Sequence, residues 1–440
     1  MKFIADLQIH SRYSRATSKD MVLEEIDRWA GNKGILLMGT GDFTHPAWVS
    51  EIKKKLEPAE PGLFKLKKEF KLPTIRGEMS ETRFMLTCEV SSIYSKQLKG
   101  KAKRVYRVHN LIFAPDIETV EKINTQLSWI GNIASDGRPI LGLDSEELAK
   151  IVFSTNPKAV LVPAHAWTPW FSVFGSMSGF DNLEDCYGEY AKNIFAIETG
   201  LSSDPAMNWR LSVLDNISLI SNSDSHSLKK IGREANIFDA ELSYGAVFEA
   251  IKSRDPKKFL ATIEFFPEEG KYHFDGHRLC GVVFKPEETK KHKNICPKCG
   301  KPLTIGVLNR VYELADREEI KTEFKDNKYS YSGRIPYYNL VPLNEIIAKS
   351  YNLGTASKRI DEEYGKMIKL FGSEFKILLE TTTEEMTKVG VDKRIVSGIK
   401  AVREGKIIWN PPGYDGEYGN MEFVVPIAAP KKEEVQKRLF

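Results

Sequence analysis

Metal-type side chains recur through the first 230 residues: Asp6 and His10, Asp42 and His45, Glu89, His109, His165, Glu198, then Asp224 and His226. Imidazole with a few carboxylates suits zinc or manganese, and magnesium where oxygen ligands dominate; more than six such ligands imply more than one ion. A carboxylate such as Glu89 can bridge two ions. Paired ions serve phosphoester hydrolysis by activating a water and steadying the leaving oxygen. A second set, His277-x2-Cys280 followed fifteen residues later by Cys296-x2-Cys299, has the spacing of a closed tetrahedral zinc site. Gly300 suits the tight turn after its second pair, and His273 or His292 could replace His277. Such a site stabilises a module too small to fold on its own core.

Ligands scattered from Asp6 to His226 need a scaffold that gathers them. Short β-rich runs alternate with helix-capable stretches up to about Pro267, the pattern of an α/β barrel or doubly wound sheet. Strands are expected at Lys2–His10, Ile35–Asp42, Phe84–Ser91, Val108–Phe113, Ala159–His165, Ile194–Glu198 and Ser218–Asp224. Helices are expected at Lys19–Gly31, Asp116–Ile130, Asp144–Phe153 and Met207–Leu214, with a charged insertion at Pro58–Pro73. Every proposed strand carries a ligand at or near its C-terminal end, where barrel loops build active sites. Any one histidine there is more often structural; all five together are a signal. Residues 268–305 read as the metal module, Gly306–Phe324 as a helix, Lys325–Pro336 as a tyrosine-bearing linker, and the chain beyond Pro342 as mostly helical, giving units 1–267, 268–305 and 306–440.

A chain of 440 residues with 41% hydrophobic and 28% charged content is a folded protein of two or three domains, not a disordered one. It has no apolar run near membrane-spanning length and no signal-peptide layout at its start, so it reads as cytoplasmic, without disulfides. Cys88 and Cys186 read as inert. Four glutamines beside abundant Lys and Glu hint at a thermophilic source. The net charge of +4 is small, but Lys96–Arg107 holds six basic residues and no acid, and Lys271–Arg310 nine basic against three acidic. Such patches fit a polyanion bound locally, with Lys99, Lys101, Lys103 and Arg104 as phosphate contacts; the competing reading is solvated lysine loops. After His165 come Trp167, Trp170, Phe171 and Phe174 in a Pro- and Gly-rich segment. This is either core beneath the barrel mouth or a wall on which an extruded base stacks, with Trp167, Trp170 and Phe171 as base-binding residues.

The runs ADLQIHSRYS, GTGDFTHPAW, TCEVSS, VHNLIFAP, VPAHAW, IETG and SNSDSH stand in the order and spacing of the PHP (polymerase and histidinol phosphatase) family, which this chain resembles over residues 1–267. The resemblance implies a distorted seven-stranded β/α barrel with a trinuclear metal centre. The ligands it implies are His10, Asp42, Glu89, His109, His165, Asp224 and His226, with Glu89, Asp224 and His226 at the heart of catalysis and Asp6 orienting His10. One position departs: Gln8 stands where the family has histidine, which leaves a labile ion, a ligand relocated to His45, or a harder ion such as magnesium or manganese. Segments NLGTASKRIDEEYGKMIKLFGS and TTTEEMTKVGVDKRIVSGIKAV resemble two degenerate helix-hairpin-helix units, or else form a plain helical cap. Barrel, zinc module and hairpin-like tail together resemble the endonuclease Q family. That implies a DNA partner, double- or single-stranded, carrying uracil, hypoxanthine, xanthine or an abasic site, and cutting on the 5′ side of the lesion. A repair clamp would be a further partner with no signature in the sequence. The alternatives are a phosphatase for a small phosphomonoester and a DNA-binding scaffold that has lost catalysis.

Overall fold

Side chains alternate along a strand with period two, and this decides what each strand buries on either side. Leu111 and Phe113 join one core with Phe3, Ala5, Leu7, Leu37, Met85, Val160, Val162 and Ile220. Their neighbours Val108, Ile112 and Ala114 join a second core packed with the surrounding helices. A computed structural model describes residues 1–424; the end of the expected C-terminal unit, 425–440, lies outside the described residues.

Seven strands surround the inner core: β1 (Lys2–Asp6), β2 (Leu37–Gly39), β3 (Arg83–Lys96), β4 (Arg104–Ala114), β5 (Val160–Pro163), β6 (Ala196–Glu198) and β7 (Ser218–Ile220). Ladders join β1 to β2, β2 to β3, β3 to β4, β4 to β5 and β6 to β7. Single contacts complete the circuit: Ala166 N donates to the Glu198 carbonyl at 2.9 Å, and Ile9 bridges to Ser225. The distortion has a cause. Strand β8 (Ala235–Asp239) occupies the free edge of β1, antiparallel to it, and β9 (Phe259–Glu264) continues outward, so β7 meets the chain only beyond the end of β1.

One expectation fails in an informative way. Strands β3 and β4 form a long antiparallel hairpin, so they cannot both end at the same mouth. Glu89 lies in the middle of β3 and His109 at the middle of β4, not at strand ends. The helices follow the sequence closely. Asp116 and Asp144, expected as first residues, are N-caps whose carboxylates accept from Thr119 N and Glu146 N, so the helices run Ile117–Ser128 and Ser145–Thr155. Met207–Leu214 is instead a short helix, Pro205–Asn208, and a separate turn. The insertion forms a small hairpin on the edge of β3.

Beyond the barrel, Asp275–His277 and Val282–Phe284 make a hairpin whose core is only Val282, Cys296 and Leu303, backed by Cys280 and Phe284. The helix expected over Gly306–Phe324 stops at Leu314. The tyrosine-bearing segment is partly strand, and Tyr337–Asn339 extends the main sheet beside β9. Among the described residues five helices follow, Leu343–Tyr351, Lys358–Phe371, Glu374–Leu379, Thr383–Lys388 and Lys393–Arg403. Left-handed Asn352 ends the first and Gly390 (φ +80°) turns between the last two. Glu374 buries its carboxylate against Lys33 of the barrel at 2.7 Å, while Lys229 and Lys230 pair with Asp361 and Glu345 at 2.5 and 2.6 Å. Among the described residues no helix is long and apolar enough to cross a membrane.

Candidate metal centres

Period two places Glu89 on the same face of β3 as Met85, and His109 on the same face of β4 as Leu111, toward the inner core. In the ladder Ser91 faces His109 and Glu89 faces Leu111, so Glu89 and His109 are diagonal neighbours. His109 Nδ1 contacts Glu89 Oε1, and His165 Nε2 lies 3.3 Å from the same oxygen and 3.1 Å from His109 Nδ1. These three make one ligand group; His10, Asp224 and His226 make a second. Glu89 joins them, with Oε2 2.9 Å from His10 Nε2, which is also 3.0 Å from Asp224 Oδ1.

The ligands are held by their surroundings. Asp42, His165 and Asp224 each follow a barrel strand in left-handed backbone (φ 50°, 28° and 45°), a conformation that non-glycine residues keep only when the structure enforces it. A Cβ on Gly200 would fall 2.6 Å from that of His165, so only glycine lets the two loops approach. Glu198 accepts from His165 N at 2.7 Å and from Asn222 Nδ2 at 2.9 Å; burial pushes its carboxyl up to about 8. His226 Nδ1 is tied to the Asp224 carbonyl at 2.9 Å, which leaves Nε2 as its free nitrogen.

Two expected roles change. His10 Nδ1 is held at 2.9 Å by Asp42, whose other oxygen accepts from Ser11 N, Ser11 Oγ and Ser14 Oγ. Asp42 therefore orients His10, with both oxygens occupied by protein donors. Asp6, expected in that role, instead accepts from Ser223 N and Gly232 N at 3.0 and 2.9 Å. His45 joins neither group; its ring stacks on Tyr13 at 4.4 Å. Gln8 Nε2 donates to Glu89 Oε2 at 3.0 Å.

Electrostatics fit a cation site. Burial by itself would lower His10 and raise Glu89. The Asp42, Asp224 and Glu89 carboxylates nevertheless hold His10 well above its ordinary range, and His109, Arg138 and His10 hold Glu89 well below its own. His10 Nε2 and Asp224 Oδ1 are buried with no hydrogen bond, facing each other across ligand distance. Unpaired buried polar atoms are costly, and a divalent ion would satisfy both. In the small module, His277, Cys280, Cys296 and Cys299 gather with ligand atoms within 4.8 Å. The alternative histidines are engaged elsewhere: His273 Nδ1 meets the Ser202 carbonyl at 3.2 Å and His292 stacks on Phe284.

The aromatic segment divides. Trp167 is 1% exposed, packs on Phe174 and donates to Asn208 Oδ1 at 2.7 Å, so as a base-binding residue it is corrected to core. Trp170 and Phe171 are half-buried; Phe171 sits 4.8 Å from the His109 ring, and Trp170 meets Tyr272 edge-on at 5.9 Å. Of the basic hairpin, Lys101 pairs with Asp181 at 2.8 Å and Arg104 bonds the Gly179 carbonyl while covering Tyr106, whereas Lys99 and Lys103 are exposed. Sequence reasoning missed Arg138, whose Nη1 reaches Glu89 Oε2 at 3.5 Å. Its only sequence signal is the Asp136-Gly137-Arg138 run in a loop.

Comparison with known proteins sets these centres in context. Residues 342–406 match the family model described as the MJ0043 C-terminal domain. The uncharacterized protein MJ0043 of Methanocaldococcus jannaschii is 34% identical over 264 residues, 59% of this chain; the chain covers 31% of that protein, about a third of its length. The structure of the lesion-specific endonuclease Q of Pyrococcus furiosus matches with TM-score 0.79 and 32% identity over 96% of both chains. A second structure, endonuclease Q complexed with a 27-mer duplex substrate bearing an abasic lesion at its active site, matches with TM-score 0.81 and 32% identity over 99% of this chain and 100% of that one. Identity near a third, sustained from end to end at that structural similarity, goes beyond a shared fold: the chain belongs to the endonuclease Q family.

Proposed function

We propose that the chain is a metal-dependent DNA endonuclease that cuts the phosphodiester on the 5′ side of deaminated bases and abasic sites, with a PHP barrel as its catalytic unit. The observation that carries this reading is the convergence of Glu89, His109 and His165 with His10, Asp224 and His226 in one largely buried place, in a chain that aligns throughout with an endonuclease Q bound to abasic DNA. Those six residues would hold the barrel ions, zinc or in part magnesium or manganese, and His277, Cys280, Cys296 and Cys299 a structural zinc. Bound there, the barrel ions would activate water and stabilise charge on the phosphate oxygens. The protein's share is preorganisation. Asp42 fixes the His10 ring so that Nε2 faces the cluster, and the Asp224 carbonyl fixes His226 likewise. Phe171, beside His109, and Trp170 would form the wall for an extruded nucleotide; a base drawn out of the stack costs least where pairing is already broken. Lys99 and Lys103, and hairpin-like turns at Asn352 and Gly390, would meet backbone phosphates without reading bases.

The test compares duplexes carrying uracil, hypoxanthine or an abasic site with undamaged duplex and with a small phosphomonoester, each with and without chelator. Lesion-dependent nicking that chelator abolishes is expected. Faster turnover of the phosphomonoester than of any DNA would replace this reading with a phosphatase, and tight DNA binding without cleavage would replace it with a scaffold.

A further inference from the structure

The PHP resemblance implies three ions, yet the ligand atoms gather into two groups of three. Asp42 and His45, which would complete a third, stand outside both groups. Asp42 spends both oxygens on His10, Ser11 and Ser14, whereas His45, its ring stacked on Tyr13, and Gln8 keep Nδ1 and Oε1 without a hydrogen-bond partner among the described residues. Gln8 turns its amide nitrogen, not its carbonyl oxygen, toward Glu89 Oε2; the reverse orientation would set oxygen against oxygen. That same carboxylate oxygen lies 3.5 Å from Arg138 Nη1.

We propose that Arg138 is the built-in cation of this centre: its guanidinium stands in for a third ion, and its free N–H groups hold a non-bridging oxygen of the scissile phosphate. The second half rests on the endonuclease reading; the first does not. A guanidinium is permanently charged and offers five donors in a planar fork that matches phosphate. Among the described residues, Arg138 makes one side-chain hydrogen bond, to Glu89, which leaves the rest of the fork for a ligand. Its side chain is 27% exposed, so a ligand can reach it. Beside the Glu89 contact, the carboxylates of Asp224, Asp136 and Asp42 also attract it electrostatically, negative charge of the kind an ion would otherwise balance.

The loop that carries Arg138 is shaped for this placement. Asp136 Oδ1 accepts from Arg138 N at 3.0 Å and from Arg15 N at 3.3 Å. Gly137 N donates to the Tyr13 carbonyl at 3.0 Å, and Thr44 Oγ1 donates to the Gly137 carbonyl at 3.0 Å. A Cβ on Gly137 would lie 2.3 Å from both Asp42 Oδ2 and Ser14 Oγ, so only glycine lets the loop press against the carboxylate that orients His10. The loop thus closes over Asp42 and delivers a cation to Glu89.

Metal content and cleavage test the two halves separately. Protein stripped with chelator, reloaded with zinc and manganese, and measured by elemental mass spectrometry should hold three ions, two in the barrel and one in the module. Gln8→His alone should leave that number unchanged, because the guanidinium still neutralises Glu89; Gln8→His with Arg138→Ala should add one ion. Four ions in the native chain or in Gln8→His alone would overturn the substitution for an ion. On an abasic duplex, Arg138→Ala should lower kcat by ~10²–10³-fold with unchanged DNA affinity, with added guanidinium restoring part of the rate and Arg138→Lys falling between. Sulfur at one non-bridging oxygen should slow the native enzyme selectively, and Arg138→Ala should lose that selectivity. A normal kcat in Arg138→Ala, or retained selectivity, would refute the phosphate contact. If the native protein cleaves no DNA, the endonuclease reading fails while the ion count still judges Arg138.

Discussion

The two candidate metal centres are opposite solutions to gathering ligands. The small site takes all four from 23 consecutive residues, His277 to Cys299, around a core of three buried side chains. The barrel site draws on residues 10 to 226, and its ligands are set by strand register, by Asp42 behind His10 and by Glu198 behind His165. In the first a bound ion would stabilise the fold; in the second the fold holds ligands ready for one. A local site is a structural element, and a long-range site can be a reagent.

That contrast is easiest to break at the small site. Cys296→Ala should release one zinc and unfold residues 268–305, a loss on the order of 10 kcal/mol in local metal-binding energy. The barrel should keep its melting transition by circular dichroism, and a barrel that melts with the module would erase the distinction. Glu89→Ala should behave conversely, with cleavage falling by at least ~10³-fold and the fold intact, since it removes a ligand shared by both groups. Glu374→Ala should cost about 3–5 kcal/mol in urea denaturation because it leaves Lys33 charged and unpaired where both are buried. A loss under 1 kcal/mol would mean that the C-terminal helices are not fastened to the barrel there. Trp170→Ala or Phe171→Ala should cost about 1–3 kcal/mol of discrimination between uracil and thymine, whereas Trp167→Ala should cost stability instead. The smallest effect concerns pH. Burial, reinforced at Glu234 by Glu264, raises both carboxyls above their ordinary range, so the folded state binds protons the unfolded state has released. Their contribution is full below about pH 4.5 and is lost as pH climbs through the raised values. Stability should therefore fall by roughly 1 kcal/mol per unit between pH 5.5 and 8, and Glu264→Gln should flatten that slope.

Much of the frame was legible because it depends on local pattern. All seven expected barrel strands overlap an observed one, since alternating apolar runs bounded by Gly, Pro and Asp can do little else. Asp116 and Asp144 marked helix starts through the chemistry of capping. What stayed hidden depends on partners distant in sequence. Strand direction is one: nothing in the residues of β3 and β4 says that Glu89 faces inward from mid-strand. The roles of Asp6 and Asp42 are another, because both are buried acids near His10 and only the positions of Ser223, Gly232, Ser11 and Ser14 separate them. Trp167 and Trp170 are three residues apart and of one type, yet a turn sends the first to Asn208 and leaves the second at the surface.

The pairing of the first strand with residues 235–239 also sets a timetable. At a synthesis rate of roughly 5–20 residues per second, Asp224 and His226 leave the ribosome about 10–40 s after His10. Until then His10 has Asp42 behind it but no second ligand of its group in front, and β1 has a partner on one edge only. The four ligands of the small site, by contrast, emerge within about 1–5 s of one another. A chain growing in a cell therefore completes its small candidate site almost as soon as it begins it, while its barrel centre could be filled only late, after the two ends of the domain have met.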